Sequence, residues 1–306
     1  MRTLVSALSF IFILQLTACG GGGGSTSSAT SSTPVSSNSK DELQTPEAPP
    51  VQSASPEDDT SGESQESTDN DVNYTFLKGH PQPEQVISSV ITGIDYPVNV
   101  YLPVGYHESS QNYPIIYALD GQVLYPGLPY LLEQEGVNAI LVAISEGPDD
   151  RRRTDYLLPG ATDFFHFITT ELIPLVEPGL RIEPAQRSIV GTSFGGVMAG
   201  LTMLMDDVSD PYFHNFLAFD ASFYQHQAET EALELERYLA SNELNGRLFL
   251  SSAVPEGNDQ YVTDFESSLN ERAFSGLQIV KREYNTTHGA ITEPSFREAV
   301  SLFFNP

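Results

Sequence analysis

The chain of 306 residues has no tryptophan and a single cysteine. One thiol cannot build an internal disulfide framework or a thiolate zinc cluster, so neither supplies stability here. Bases are scarce as well: 14 Lys and Arg stand against 41 Asp and Glu, for a net charge of −27. Nucleic acid and anionic membrane surfaces would repel such a chain, and no nucleic-acid partner is expected. At 40% hydrophobic residues the apolar content is too low for a multi-span membrane protein but ample for a packed core.

The lone cysteine closes an N-terminal pattern. Arg2 gives a basic start, an apolar run follows over Leu8–Leu16, and Leu16-Thr17-Ala18 precedes Cys19. A basic start, a short apolar segment and small residues before a cut make a secretory signal over 1–18, too short to span a bilayer. The pattern resembles a bacterial lipobox, which implies lipidation at Cys19, on its sulfur and new amino group. Gly20 after the cysteine is similar to outer-membrane sorting, so the expected location is the cell envelope. Residues 19–73 then read as a tether, with Gly20–Gly24, Ser/Thr runs, five prolines, and ten acids to one base, Lys40. Such a segment cannot bury enough apolar surface to offset its ordering entropy and is expected to stay disordered and extended.

Residues 74–306 suit one domain, with 31 acids and 12 bases. Val86–Thr92 and Val98–Leu102 alternate as an antiparallel strand pair. Ile115–Leu119 and Ala139–Ile144 are continuous apolar runs, as in parallel strands covered on both faces. Ala161–Val176 has helical spacing. Further on, the pattern predicts strands at Ser188–Val190, Asn215–Phe219, Leu248–Ser251 and Leu277–Tyr284. Helices are expected at Phe194–Met205, Ala228–Leu239, Tyr261–Phe274 and Ser295–Phe304. Strand and helix alternating after an opening hairpin predict an α/β fold: a mostly parallel central sheet, helices on both faces, and an antiparallel N-terminal hairpin.

Gly191-Thr192-Ser193-Phe194-Gly195, followed by Gly196, matches G-x-S-x-G between an apolar strand and a helix. In a nucleophile elbow the serine occupies a strained strand-to-helix turn, and glycines two before and two after let backbones approach. The helix N-terminus offers positive potential to a developing oxyanion. Ser193 is therefore the candidate nucleophile. It needs a base, and the histidines are His80, His107, His166, His214, His226 and His288. Chains built on such an elbow run nucleophile, acid, histidine, with the histidine after the last strand. Only His288, after Leu277–Tyr284, meets both order and place. The acid should follow Leu248–Ser251, where Glu256 is nearest, with Asp259 and Asp264 beyond it. Asp220, one strand earlier, is its rival.

Tyr113-Pro114-Ile115-Ile116-Tyr117-Ala118-Leu119-Asp120-Gly121, Arg152-x-x-Asp155-Tyr156, the elbow and Thr287-His288-Gly289 occur in an order that resembles the putative esterase family. That family holds esterase D-like, feruloyl-esterase-like and siderophore-esterase-like members on the α/β-hydrolase fold. The resemblance covers about 85–304. It implies a serine esterase, with oxyanion donors at the backbone N–H groups of Gln122 and Phe194 and a cleft arginine at Arg152 for an anionic substrate. The family's Gly-x-x-Glu gives way here to Ala253-Val254-Pro255-Glu256, and its Ser-Pro-Ser to Asp220-Ala221-Ser222, which keeps Asp220 open beside Glu256. The likeness also allows a Ser–His pair working without an acid.

The reading is a lipid-anchored carboxylic-ester hydrolase, expected as a monomer and needing no metal or cofactor. Siderophore lactones, aryl esters and acetylated sugars all suit it as small-molecule substrates. A catalytically silent binding protein on the same scaffold is the alternative, since fold alone does not fix function. A serine peptidase is a third reading, because ester and peptide hydrolysis share one triad.

Overall fold

The computed structural model describes residues 75–305; the expected signal peptide, Cys19 and the 19–73 tether lie outside them. Nine strands form one sheet among the described residues. They are β1 (His80–Pro81), β2 (Gln85–Ser88), β3 (Asp95–Leu102), β4 (Tyr113–Ala118), β5 (Ile140–Ile144), β6 (Ile182–Thr192), β7 (Asn215–Phe219), β8 (Glu243–Glu256) and β9 (Ser275–Thr287). Their order is β1-β3-β5-β4-β6-β7-β8-β9, with β2 also on β3. From β5 to β9 every neighbouring pair is parallel, and β1, β2 and β5 meet β3 antiparallel. The expected hairpin is present in register Gln85↔Val98 to Ser88↔Asp95.

Alternation along each strand feeds two cores. Ile115 and Tyr117 of β4 face one side, where Phe164, Phe167, Val197, Met198, Val262 and Phe265 pack. Ile116 and Ala118 face the other, with Leu128, Leu132, Phe296, Val300 and Phe303. Both sets are nearly inaccessible, which is why β4 and β5 read as unbroken apolar runs. The helices on the first side are α4 (Gly160–His166), α5 (Ile173–Val176), α6 (Phe194–Met205), α7 (Gln227–Ala240) and α8 (Asp259–Arg272). Those on the second are α2 (Gly127–Gln134) and α9 (Thr292–Phe304).

Between α4 and α5 the expected single helix widens into a π-helical segment, Phe167–Leu172. Thr169 Oγ1 donates to Phe165 O at 2.9 Å and Thr170 Oγ1 to His166 O at 2.7 Å, so two hydroxyls occupy carbonyls that a regular helix would give to backbone N–H groups. The last two strands also run beyond their expected ends. They keep pairing with each other through Ser252↔Glu283 to Glu256↔Thr287, where Pro255 interrupts the β8 side and Asn285-Thr286-Thr287 on the β9 side is polar, so hydrophobic patterning does not register the extension.

Strand order reverses between β4 and β6. In parallel sheets the crevice at the carboxyl ends beside such a reversal is where ligands bind. Gly191-Thr192-Ser193 lies there.

Candidate active site

Ser193 leaves β6 with φ 61° and ψ −118°, in a region that non-glycine residues rarely occupy, and α6 begins at the next residue. Its backbone is held from three directions. Ser193 N donates to Phe219 O at 3.0 Å, and its carbonyl accepts from Val197 N at 3.1 Å and Ser222 N at 3.2 Å. Gly191 permits the turn, because a Cβ there would lie 2.3 Å from the Gly195 backbone. Gly196 permits the seating of α6, since its Cβ would meet Ala221 at 2.9 Å. Asp120 (φ 57°) and Asp220 (φ 41°) are also left-handed, so strained residues end the three adjacent strands β4, β6 and β7. Strain of this kind, about 1–3 kcal/mol per residue, persists where surrounding contacts over-determine it and gathers at functional sites.

His288 follows β9 directly, and its Nδ1 lies 2.5 Å from Asp220 Oδ2. Asp220 is fully buried. Its other oxygen, Oδ1, accepts from Ala253 N at 3.0 Å and Asn258 N at 2.9 Å. The expectation that Glu256 would support the histidine is corrected: the Glu256 side chain is exposed, and only its backbone carbonyl engages His288, accepting from His288 N at 3.0 Å. The rival strand end supplies the carboxylate. Asp259 is committed to Ser252 and Lys281, and Asp264 accepts from Gln260. The position after β8 where an acid was expected is taken by Asn258, which sequence reasoning did not single out. Among the described residues Ser193 Oγ has one hydrogen-bond partner, Ser222 Oγ at 3.2 Å.

Asp120 opens α1 (Gly121–Leu124), a single turn, and Val123 N and Leu124 N both return to Asp120 O. The first N–H groups of any helix have no partner within it, which leaves those of Gln122 and Phe194 as available donors at the starts of α1 and α6. Gln122 is tied down through its side chain, whose Oε1 accepts from Glu146 N at 2.9 Å.

Arg152, expected to meet an anionic substrate, instead closes a two-pronged pair on Asp120. Nε lies 2.9 Å from Oδ1 and Nη2 2.8 Å from Oδ2. Burial is the largest single influence and works against this charge, but the hydrogen bonds to Asp120 together with the pull of the Asp120, Tyr156 and Glu146 charges outweigh it, so the guanidinium is held above its ordinary value. Arg152 starts the short helix α3 (Arg152–Asp155), and Tyr156 beyond it accepts from Asp120 N at 3.2 Å. Asp155 anchors the far side by accepting from Tyr96 Oη at 2.7 Å. The Asp120-Gly121 and Arg152-x-x-Asp155-Tyr156 motifs are thus halves of one brace beneath the α1 donor. Arg152 and Arg153 both lie 5.4 Å from the Phe194 ring, next in sequence to Ser193. Among the described residues, no group of three His, Cys, Asp or Glu is arranged to hold a metal ion.

A model of the putative esterase family matches residues 89–207. An uncharacterized protein of Bacillus subtilis, YbbA, is 26% identical over 207 residues, 59% of this chain and 80% of that one. An IroE-like serine hydrolase from Shewanella oneidensis superposes with a TM-score of 0.63 at 25% identity, covering 74% of this chain and 80% of that one. The siderophore hydrolase EstB from Aspergillus nidulans gives 0.61 at 17% identity, covering 73% and 95%, a likeness of fold. Motif, topology and the match over residues 89–207 converge: the chain is an esterase on the α/β-hydrolase fold, similar in that segment to the putative esterase family.

Proposed function

We propose that this esterase works through an acyl-enzyme on Ser193, with His288 as general base and Asp220 as the supporting acid. Ser193 Oγ attacks the ester carbonyl carbon while its proton passes to His288 Nε2. The Asp220 carboxylate keeps the imidazole proton on Nδ1, which leaves Nε2 free to accept. The alkoxide is stabilised by the N–H groups of Gln122 and Phe194, each such donor typically worth about 3 kcal/mol in the transition state. His288 returns the proton to the departing alcohol, and water then releases the acid by the same steps. The observation that carries this reading is the 2.5 Å contact between His288 Nδ1 and the buried Asp220, at the strand end beside the strained Ser193. Free-enzyme geometry is commonly looser than that of the substrate complex, so the Ser193–Ser222 contact is compatible with it.

Siderophore esters are the substrates we place first. Several similar structures carry siderophore-hydrolase titles, and the exposed Arg153 beside Phe194, in a solvent-screened pair with Asp150 at 2.9 Å, places a cation where an acidic ligand could compete for it. We further propose that the domain is exported and held at the envelope by lipid on Cys19, on the sequence pattern of residues 1–19. The mechanism is tested by fluorophosphonate labelling of the full chain, with the modified residue mapped by mass spectrometry. Labelling at Ser193, with a loss of kcat on the order of 10⁶-fold in Ser193→Ala, is expected. Ester turnover retained in Ser193→Ala would refute it.

A further inference from the structure

A polar chain behind the nucleophile has a fixed direction. Asn258 Nδ2 lies 2.8 Å from the backbone carbonyl of Asp220, which can only accept, so the amide nitrogen must face it. The second hydrogen of that nitrogen reaches Ser222 Oγ at 3.2 Å. Ser222 is 2% exposed, so its hydroxyl has no bulk solvent to turn to. Asn258 fills one lone pair of the Ser222 hydroxyl, and among the described residues Ser193 Oγ, 3.2 Å away, is the acceptor within reach of its own proton, so donation to Ser193 is the arrangement that leaves no buried O–H unpaired. The backbone fixes the pair independently, because Ser222 N donates to Ser193 O.

We propose that Ser222 is a positioning residue for the nucleophile, donating a hydrogen bond to Ser193 Oγ with its polarity set by Asn258; this rests on Ser193 being the nucleophile. The donated bond orients Oγ and stabilises the negative charge that builds there as the Ser193 proton leaves for His288. It also commits the Ser193 proton to an acceptor other than Ser222. Asn258 then serves both ends of the machinery. Its backbone N–H holds the Asp220 carboxylate, and its side chain sets the direction of the Ser222 hydroxyl. The opposite polarity, with Ser193 donating to Ser222, would make the contact a lock that must break before reaction, and removing it would not slow attack.

The test is the second-order rate of fluorophosphonate labelling in the full-chain protein and in Ser222→Ala, with kcat and KM for an aryl ester. The expected result is labelling about tenfold slower, the scale of one hydrogen bond to a developing charge. KM should stay at its wild-type value while kcat falls, and the thermal midpoint should drop by no more than the loss of one partner for Asn258 Nδ2 requires. In an Asn258→Ala background the same Ser222→Ala change should cost much less, because the polarity of the hydroxyl is already lost. Labelling of Ser222→Ala at or above the wild-type rate would overturn the proposal while leaving the serine mechanism standing. A rate loss accompanied by a midpoint lowered further than that and a raised KM would overturn it too, as ordinary structural damage. Wild-type protein that fails to label at Ser193 would remove the proposed mechanism, and this inference with it.

Discussion

Replacing Asp220 by Asn tests the acid assignment with little change of shape. Two backbone donors, Ala253 N and Asn258 N, converge on Oδ1, so an asparagine must turn its carbonyl oxygen toward them. Its NH2 group then occupies the Oδ2 position, 2.5 Å from His288 Nδ1 in the native protein. A donor there forces Nδ1 to accept, which moves the imidazole proton to Nε2. The ring can then no longer take the proton of Ser193. The loss of kcat expected from such a wrong tautomer is on the order of 10⁴-fold, with the protein still folded because every buried polar group keeps a partner. Asp220→Ala is different: it strands two buried N–H groups at about 1–3 kcal/mol each and should lower the urea midpoint as well. Glu256→Gln, at an exposed side chain, should leave kcat within about twofold, since surface changes away from such features have little effect. Steady-state ester hydrolysis with denaturation curves on the three variants reads all of this. If Asp220→Asn kept more than a tenth of wild-type kcat, the assignment of Asp220 would be wrong.

Arg152→Ala should lower kcat about 10- to 100-fold with KM nearly unchanged, because the fork that holds Asp120 beneath the α1 donor is lost; a raised KM at constant kcat would make Arg152 a substrate ligand instead. Arg152→Lys should not restore the rate, since an ammonium cannot reproduce a two-pronged pair. Burial, with Arg187 nearby, holds His214 below its ordinary value of 6.5 against the opposing pull of Asp206. Its folded value lies under the unfolded one, so the stability linked to it is present above pH 6.5 and lost as pH falls through the folded value. His214→Gln should therefore flatten the fall in urea midpoint between about pH 7 and about pH 5, and parallel curves for the two proteins would refute this.

What could be read from the sequence follows from how local each constraint is. Gly191-Thr192-Ser193-Phe194-Gly195-Gly196 was legible because a strand-to-helix turn demands small residues at fixed offsets, and Phe194–Met205 is the helix that was expected. Asn215–Phe219 was legible as an apolar run between polar ends. The ends of β8 and β9 were not, because Pro255 interrupts the one, Asn285-Thr286-Thr287 makes the other polar, and both are held by a ladder between two strands. The brace was visible only as two motifs some thirty positions apart. Charges at Asp120 and Arg152 do not announce that they pair with each other rather than with a ligand. Asn258 carried no signal at all, since its role depends on the carbonyl and hydroxyl that the fold brings to it.

The acid was the open choice, and the sheet gives the physical reason for proposing it on β7. At each step across the carboxyl edge, the residue just past one strand donates to the neighbouring strand: Leu119 N to Val190 O, Ser193 N to Phe219 O, Asp220 N to Ser251 O. These bonds extend the parallel ladder by one residue, and at Ser193 and Asp220 they hold positive-φ backbones in place. Asp220 therefore stands on the rigid edge, fully buried, with its carboxylate aimed by two further N–H groups. A side chain at Glu256 would instead project from the end of an exposed two-strand ribbon, free to rotate and screened by water. A carboxylate that must keep an imidazole in one tautomer is useful to the extent that it is already oriented and dry before substrate arrives. The β7 end supplies both conditions. The ribbon contributes a backbone carbonyl that fixes where His288 begins.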